Sequence, residues 1–244
     1  MRIPRIYHPS PLGTQQQVSL SDEAAGHVAR VLRLKEGHQV ILFCGDGLDY
    51  VAEITSLTKR SVEVRLDSIN DKHQIESPLR IHLGQVISRG DKMDFTLQKS
   101  VELGVSEITP LLSERCGVKL PPERLEKKRQ QWQKIVISAC EQCGRAIIPN
   151  VNPVQELEQW AREQTSEMKL NLHPQAPYTI KSMPRPEQGI RLLIGPEGGL
   201  SEQEITQMSS LAFAEIQLGP RILRTETAAL CAISALQSQF GDLA

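Results

Sequence analysis

Residues 190–200 read IRLLIGPEGGL, an apolar run followed directly by a glycine-proline loop. A second loop of the same kind, LGPRILR over residues 218–224, follows the run Phe213–Leu218. Each pattern predicts a buried strand that ends in a loop and leads into a helix. In open α/β sheets, ligands bind outside the carboxyl ends of the strands. The two loops therefore predict one pocket built from both.

The first loop is a poor match to a phosphate-binding loop. Helix N-termini with free backbone amides attract anions, but Pro196 has no N–H to donate and Glu197 would place a carboxylate beside the phosphates. The spacings of the nucleoside-triphosphate loop and of the dinucleotide fingerprint do not occur in it. Its glycines allow close approach of the backbone to another kind of ligand. The alternative is a tight turn with a helix cap, because Ser201 and Glu204 form a Ser-x-x-Glu capping box; both interpretations can hold together.

The composition is that of an ordinary globular protein, with 244 residues and a formal net charge of −1. The overall basic charge that commonly indicates nucleic-acid binding is missing. Residues 115–145 nevertheless hold eight Lys/Arg against three acids, a local net charge of +5. A solvated helix face is the ordinary interpretation of such a run, and a patch that binds a polyanion is the functional one.

The cysteines and the N-terminus indicate a cytoplasmic protein. Met1–Pro11 lacks the apolar core of a signal peptide, and no apolar stretch is long enough to cross a membrane. Five cysteines are an odd number, which argues against a disulfide framework. Cys140 and Cys143 form a C-x-x-C pair without the further ligands of a zinc site, so we expect no metal and two thiols buried on a helix.

The first part of the chain, residues 1–72, reads as mostly β and predicts a small barrel around one helix that Ser21 caps. Its predicted strands are Gln39–Cys44, Leu48–Leu57 and Ser61–Ile69. The polar segment Asn70–Pro78 places the domain boundary.

Residues 73–244 alternate strand and helix, which predicts a parallel sheet with crossover helices. The predicted strands are Leu79–Ile87, Glu107–Leu112, Met168–Leu172, Ile190–Ile194 and Glu215–Leu218. The predicted helices are Asp91–Leu103, Pro122–Gln142, Val154–Gln164, Ser201–Ser210 and Arg224–Gln239. In the second of these helices, Trp132 lies on an apolar face, as core or subunit interface, and Lys127, Lys134 and Glu141 line the opposite face.

Several motifs occur in a fixed order along essentially the whole chain: Arg5-Ile6-Tyr7-His8, His82-Leu83-Gly84-Gln85, the Lys92–Val105 helix, Ser113-Glu114-Arg115-Cys116, Glu141-Gln142-Cys143-Gly144-Arg145, and the two loops with Arg224-Thr225-Glu226-Thr227-Ala228. In these motifs the chain closely resembles the SPOUT-class RNA methyltransferases of the RsmE type. The resemblance implies a PUA-like β-barrel domain over residues 1–72 and a SPOUT methyltransferase domain over residues 73–244. It also implies a C-terminal trefoil knot, which general topology rules would not predict.

The resemblance further implies a homodimer that uses S-adenosylmethionine to methylate N3 of a specific uridine in 16S rRNA of the small ribosomal subunit. Two alternatives stay open. The same fold and donor could act on another rRNA or tRNA nucleoside, or the chain could be an RNA-binding assembly factor with a degenerate pocket.

On this resemblance, three groups of site residues are expected. The donor pocket comprises Leu172, Ile194, Gly195, Pro196, Glu197, Gly198, Gly199, Leu218, Gly219, Ile222, Leu223, Arg224, Thr227 and Ala228. The candidate catalytic residues are Arg145, Glu141 and Glu226. The candidate RNA-binding residues are Arg2, Arg5, Arg30, Arg33, Arg89, Arg115, Lys127 and Lys134. Glu197 has a second interpretation, in which it only holds the shape of its loop.

Overall fold

The structure is a computed structural model that describes residues 3–58, 61–174 and 176–243. The chain forms two compact units. The first unit comprises Met1–Glu76 and Cys140–Ile148, and the second comprises Ser77–Ala139 and Pro149–Ala244. The division into domains at residues 72 and 73 stays a prediction.

The first unit is built on a five-stranded sheet in the order β1-β3-β4-β5-β2. The strands are β1 (Arg5–Tyr7), β2 (Gln17–Ser19), β3 (Gln39–Phe43), β4 (Leu48–Leu57) and β5 (Val62–Asp71). β1 pairs with β3 in parallel, and the other pairs are antiparallel. Val62, Val64 and Leu66 alternate with solvent-facing residues along β5, so one face of the sheet carries the core.

One helix covers this core, as the sequence predicts. α1 (Asp22–Gly26) is capped by Ser21, whose side chain accepts the backbone N–H of Ala24 at 3.3 Å. The helix continues as a π-helical turn over His27–Val31. Ala25 and Val28 are buried against the sheet. The predicted strands are confirmed to within two residues, whereas the short strands β1 and β2 have no sequence signal.

The second unit is built on an eight-stranded sheet in the order β11-β13-β10-β12-β6-β7-β8, with β9 paired to β7. Every pairing among its described strands is parallel, as predicted. The strands are β6 (Ile81–Val86), β7 (Glu107–Leu112), β8 (Asn150–Val151), β9 (Gln155–Glu156), β10 (Met168–Leu172), β11 (Tyr178–Thr179), β12 (Ile190–Ile194) and β13 (Ala214–Gln217). The central strands β6 and β12 are buried along their whole length, which is typical of a sheet covered on both faces.

The helices are α2 (Asp91–Glu102), α3 (Pro122–Cys143), α4 (Leu157–Arg162), α5 (Glu202–Ser210) and α6 (Thr225–Phe240). The predicted capping box of α5 is present: Ser201 Oγ accepts the Glu204 N–H, and Glu204 Oε2 accepts the Ser201 N–H at 2.8 Å. The predicted start of α4 at Val154 is wrong, because Gln155 and Glu156 pair with β7 before the helix begins.

α3 follows its predicted apolar face only in part. Trp132 is buried and donates its indole N–H to Asp94 at 3.1 Å, while Lys127 and Lys134 are exposed. The placement of Glu141 on the same exposed face is wrong. Its carboxylate is half-buried and accepts the backbone N–H of Tyr7 at 2.9 Å.

All five cysteines lie in the described part of the chain and are free. Cys140 is buried, and burial raises the pKa of its thiol to about 12; Cys143 is only partly buried. Among the described residues, no group of three or more His, Cys, Asp or Glu side chains is arranged to hold a metal ion. The same residues contain no helix that is both long and apolar enough to span a bilayer.

Candidate functional site

A cleft of about 280 Å³ opens at the carboxyl ends of β10, β12 and β13. Both glycine-proline loops form its walls, as the sequence predicts for two neighbouring strand ends. Its lining residues are mainly apolar: Asn171, Leu172, His173, Pro174, Leu193, Ile194, Gly195, Pro196, Glu197, Gly199, Leu200, Ile205, Ile216, Leu218, Gly219, Arg221, Ile222, Leu223, Thr225 and Ala228.

The structure brings most of the expected pocket residues together. Those in the lining are Leu172, Ile194, Gly195, Pro196, Glu197, Gly199, Leu218, Gly219, Ile222, Leu223 and Ala228. Gly198, Arg224 and Thr227 are outside it. Gly198 presents its carbonyl to Arg115, and Arg224 and Thr227 are exposed at the start of α6.

Among the lining residues at the end of β10, the sequence predicts Leu172 but not its neighbours Asn171, His173 and Pro174. β10 lies between β12 and β13, so its end forms the floor between the two loops. Because the chain order of the strands is not their order in the sheet, sequence spacing carries no signal for this neighbourhood. Thr225 was also missed, although it opens the helix after the second loop.

Two glycines set the backbone of the loops. Gly199 and Gly219 have φ values of +69° and +71°, which side chains other than glycine rarely adopt. Among the described residues, nothing lies within 4 Å of the position where a Cβ of either glycine would be. The backbone is therefore accessible at both points, and a ligand can approach it closely.

Glu197 holds the first loop to the start of α2. Its Oε1 accepts the backbone N–H of Arg89 at 3.1 Å and lies 3.7 Å from Nζ of Lys92. Burial alone would raise the pKa of Glu197, but the N–H of Arg89 and the charges of Lys92 and Arg89 lower it below its usual value. The carboxylate therefore stays ionised at the cleft. Glu197 thus fixes the loop and also lines the cleft, and its contact with a donor stays a prediction.

Arg115 and Glu204 hold the far side of the same loop. The Arg115 guanidinium donates to the carbonyls of Gly198 and Leu200, each at 3.3 Å. Oε1 of Glu204 accepts the backbone N–H of Glu114 at 2.8 Å. The segment that contains Arg115 is therefore part of the wall of the cleft.

Comparison with known proteins identifies the family. The RNA methyltransferase domain family matches residues 75–237, and the RNA methyltransferase PUA domain family matches residues 20–67. This chain is an RsmE-type RNA methyltransferase. Ribosomal RNA small subunit methyltransferase E of Buchnera aphidicola from Schizaphis graminum is 44% identical over 99% of this chain and 98% of its own. The Bacillus subtilis enzyme of the same name is 32% identical over 93% of this chain and 94% of its own.

Solved structures of the family extend the comparison to the fold. A Legionella pneumophila methyltransferase with bound S-adenosylmethionine is 47% identical and superposes with a TM-score of 0.96 over 100% of both chains. Ribosomal RNA small subunit methyltransferase E of Neisseria gonorrhoeae, bound to S-adenosylmethionine, is 42% identical with a TM-score of 0.93 over 100% of both chains. The architecture of this methyltransferase, an α/β domain with a PUA domain, is thus that of its family.

Two of the three candidate catalytic residues of this methyltransferase have structural partners in the first unit. Arg145 is buried and donates through Nε and Nη2 to Glu76 Oε2 at 3.0 and 2.6 Å. Glu141 accepts the Tyr7 N–H, and burial raises the pKa of its carboxyl. Oε2 of Glu226 is buried and has no hydrogen-bond partner within the described ranges. None of these residues is in the lining of the cleft.

The expected role of Arg5 in RNA binding is wrong. Arg5 is buried: it forms an ion pair with Asp49, donates to the carbonyl of Arg145 at 2.9 Å, and stacks over the Phe43 ring at 4.7 Å. A guanidinium enclosed in this way cannot reach a phosphate. The other candidates are exposed, namely Arg30, Arg33, Arg89, Arg115, Lys127 and Lys134. Arg2 lies outside the described residues.

A second, polar cavity of about 550 Å³ surrounds His82. His82 Nε2 lies 2.7 Å from Thr109 Oγ1, and the buried Arg191 pairs with Glu163 and Glu167 at 3.0 and 3.2 Å. Burial lowers the pKa of His82, which favours its neutral form. These contacts give the buried His82 and Arg191 side chains polar partners within the second unit.

Proposed function

We propose that this methyltransferase transfers a methyl group from S-adenosylmethionine to N3 of a specific uridine in 16S rRNA of the small ribosomal subunit. One observation carries the proposal: the cleft lies between the two glycine-proline loops, in a chain that is 47% identical, over its full length, to a methyltransferase that binds S-adenosylmethionine.

The residues of the cleft suit this donor. Leu172, Ile194, Leu218 and Leu223 provide apolar surfaces for an adenine ring, and the open backbone at Gly199 and Gly219 can hydrogen-bond its edge. Pro196 offers no N–H and Glu197 adds a negative charge, which favours a cationic ligand over a phosphate. S-adenosylmethionine supplies an activated methyl group on a sulfonium cation. Gly198, Arg224 and Thr227 are outside the lining and stay predicted donor-pocket residues.

We infer that exposed basic residues hold the RNA. Arg89 and Arg115 are both exposed. Each also contacts the first loop, Arg89 through its backbone N–H and Arg115 through its guanidinium. Phosphate contacts from these residues would position the strand at the cleft. Lys127 and Lys134 on α3 are further exposed basic residues of the second unit, and Arg30 and Arg33 are exposed basic residues of the first. The target base must be unstacked to reach the donor.

The chemistry requires alignment of the two substrates and loss of the proton on uridine N3. Positioning contributes most of the rate in such a displacement. Arg145, Glu141 and Glu226 stay the hypotheses for the groups that handle the negative charge and the proton. Glu226 is favoured as proton acceptor because its buried Oε2 has no partner in the described part of the chain.

The proposal includes a homodimer, a C-terminal trefoil knot and action in the cytoplasm, all as the family resemblance implies. The chain path supports the knot. After the central strand β12 the chain passes to β13 on the far side of β10, and α6 then returns to pack against α2, which follows β6.

The test is a methylation assay with labelled S-adenosylmethionine and small ribosomal subunits that lack the modification. We expect label in 3-methyluridine of 16S rRNA. Naked 16S rRNA and tRNA serve as parallel acceptors, and label in either one alone would change the assigned substrate. Calorimetry that detects no binding of S-adenosylmethionine or S-adenosylhomocysteine would overturn the enzyme proposal and favour an assembly factor.

A further inference from the structure

The motif His82-Leu83-Gly84-Gln85 ends in a buried polar side chain that does not line the donor cleft. Gln85 lies on β6 and is fully buried. In the parallel register of β6 and β12 it is opposite Ile194, the residue before Gly195. Gln85 is therefore adjacent to the point where the first loop leaves the sheet.

A chain of two hydrogen bonds runs from Gln85 to the first loop. Gln85 Nε2 donates to Thr225 Oγ1 at 3.1 Å, and Thr225 Oγ1 donates to the carbonyl of Gly195 at 2.7 Å. A hydroxyl has one proton, so a donor on one side of Thr225 leaves that proton for Gly195. Nε2 of Gln85 also donates to the Val86 carbonyl at 2.9 Å, which fixes the amide.

These bonds join three separate elements at one edge of the cleft. Gln85 belongs to β6, Gly195 directly follows the end of β12, and Thr225 is the first residue of α6. Gly195 and Thr225 both line the cleft. Thr225 is 5% exposed, so its hydroxyl is shielded from competing water, and buried hydrogen bonds of this kind depend strongly on their partners.

The Gly195 carbonyl belongs to the peptide bond that precedes Pro196. Because the proline ring fixes the next φ, the orientation of this one peptide determines how the rest of the loop enters the cleft. We propose that Thr225 is a positioning residue for the methyl donor: its hydroxyl, held by Gln85, fixes the Gly195 peptide and so keeps the first loop in its donor-binding shape. This inference rests on the proposed function.

The test compares Thr225→Val, which removes the hydroxyl at constant shape, with Thr225→Ser, which keeps it. Calorimetry with S-adenosylmethionine should give a dissociation constant raised about tenfold for Thr225→Val, a change of the size expected for one hydrogen bond lost at a binding wall. Thr225→Ser should stay within about twofold of the wild type. In turnover assays the KM for the donor should rise, and the KM for RNA should not.

Two further variants keep the test independent of folding. Gln85→Leu leaves Thr225 in place and should weaken donor binding about threefold, since the hydroxyl loses its orientation. Thr96→Val removes another buried hydroxyl, which donates at 2.8 Å to the Lys92 carbonyl within α2, and should leave donor affinity unchanged. If Thr225 had a purely structural role, Thr225→Val would lower the melting temperature, but the variants would not show this pattern of donor affinities.

The outcomes separate this inference from the proposed function. If the wild-type protein does not bind S-adenosylmethionine, the proposed function fails. If the wild type binds and both folded variants, Thr225→Val and Gln85→Leu, bind equally well, only the positioning role is overturned. If Thr225→Val does not fold, Gln85→Leu decides the question: the loss of donor affinity by about threefold supports the positioning role, and unchanged affinity overturns it.

Discussion

Two neighbouring glycines in the first loop have different structural requirements. Gly199 has φ of +69°, a backbone conformation that costs other residues about 1–2 kcal/mol. Gly198 has no such φ, and a Cβ there would lie 3.6 Å from Cβ of Arg115, an ordinary contact. Only Gly199 also lines the cleft. The backbone conformation of the loop therefore requires a glycine at Gly199 but not at Gly198.

We predict that Gly199→Ala reduces donor affinity by about five- to tenfold, because the strained loop relaxes away from its binding shape. Gly198→Ala is the matched control and should stay within about twofold of the wild type. Calorimetry with S-adenosylhomocysteine measures both, and urea unfolding verifies that each variant is folded. Equal affinity of Gly199→Ala and wild type would contradict the prediction.

Single charged residues were the least predictable part of the site. Arg5 has the sequence context of a surface arginine, yet its partners Asp49 and Arg145 are 44 and 140 residues away along the chain. Arg145 is likewise held by Glu76. Burial of a charge depends on such distant partners, which residue type and local spacing do not reveal.

At the scale of elements, α3 carries five of the eight basic residues in the run over residues 115–145, the evidence for RNA binding that came from composition. Its helical period placed Trp132 on the apolar face, where the side chain is buried, and Lys127 and Lys134 on the opposite face, where both are exposed. The period did not identify the change at the end of the helix, where Glu141 turns to the Tyr7 backbone. Amphipathic periodicity describes a helix whose surroundings are the same along its whole length. The surroundings of α3 change near Glu141.

We predict that Lys127→Glu with Lys134→Glu weakens RNA binding and reduces the slope of log K against log salt by roughly 1.5, the loss of about two phosphate contacts. Filter binding or fluorescence anisotropy between low and physiological salt measures the slope. Lys181→Glu with Arg185→Glu changes the net charge equally at other exposed positions of the second unit and is the control. If both double variants gave the same slope, this face of α3 would be solvent-exposed surface without a role in RNA binding.

The long strands were predictable because each is a continuous apolar run between turn residues. β7, β10 and β12 have the bounds expected from the sequence. The two-residue strands β8 and β9 were not predicted, since they exist only through pairing with β7. Elements of this length are defined by their neighbours in the fold.

At the scale of the whole molecule, donor binding should stabilise one unit more than the other. All lining residues of the cleft belong to the second unit. At a donor concentration of 100 times the dissociation constant, linkage adds about 2.7 kcal/mol to the free energy of unfolding of that unit. For a unit of this size the gain corresponds to a rise in melting temperature of about 5–10 °C.

Differential scanning calorimetry with S-adenosylmethionine checks this prediction. Hydrogen exchange should locate the added protection in the two glycine-proline loops and the start of α6. Adenosine triphosphate, which carries the same nucleoside with phosphates, is the control and should not shift the transition. A transition that stays unchanged with saturating S-adenosylmethionine would contradict the assignment of the cleft.

The contacts that hold the first loop also determine when a newly made chain can bind its ligand. Arg89 and Glu197 are 108 residues apart, Arg115 and Gly198 are 83 apart, and Gln85 and Thr225 are 140 apart. Contacts of such separation form late in folding, because the intervening chain must first be ordered. During synthesis from the N-terminus, Gln85, Arg89 and Arg115 emerge long before their partners. A nascent chain therefore completes its ligand-binding site only after Thr225 has left the ribosome that makes it.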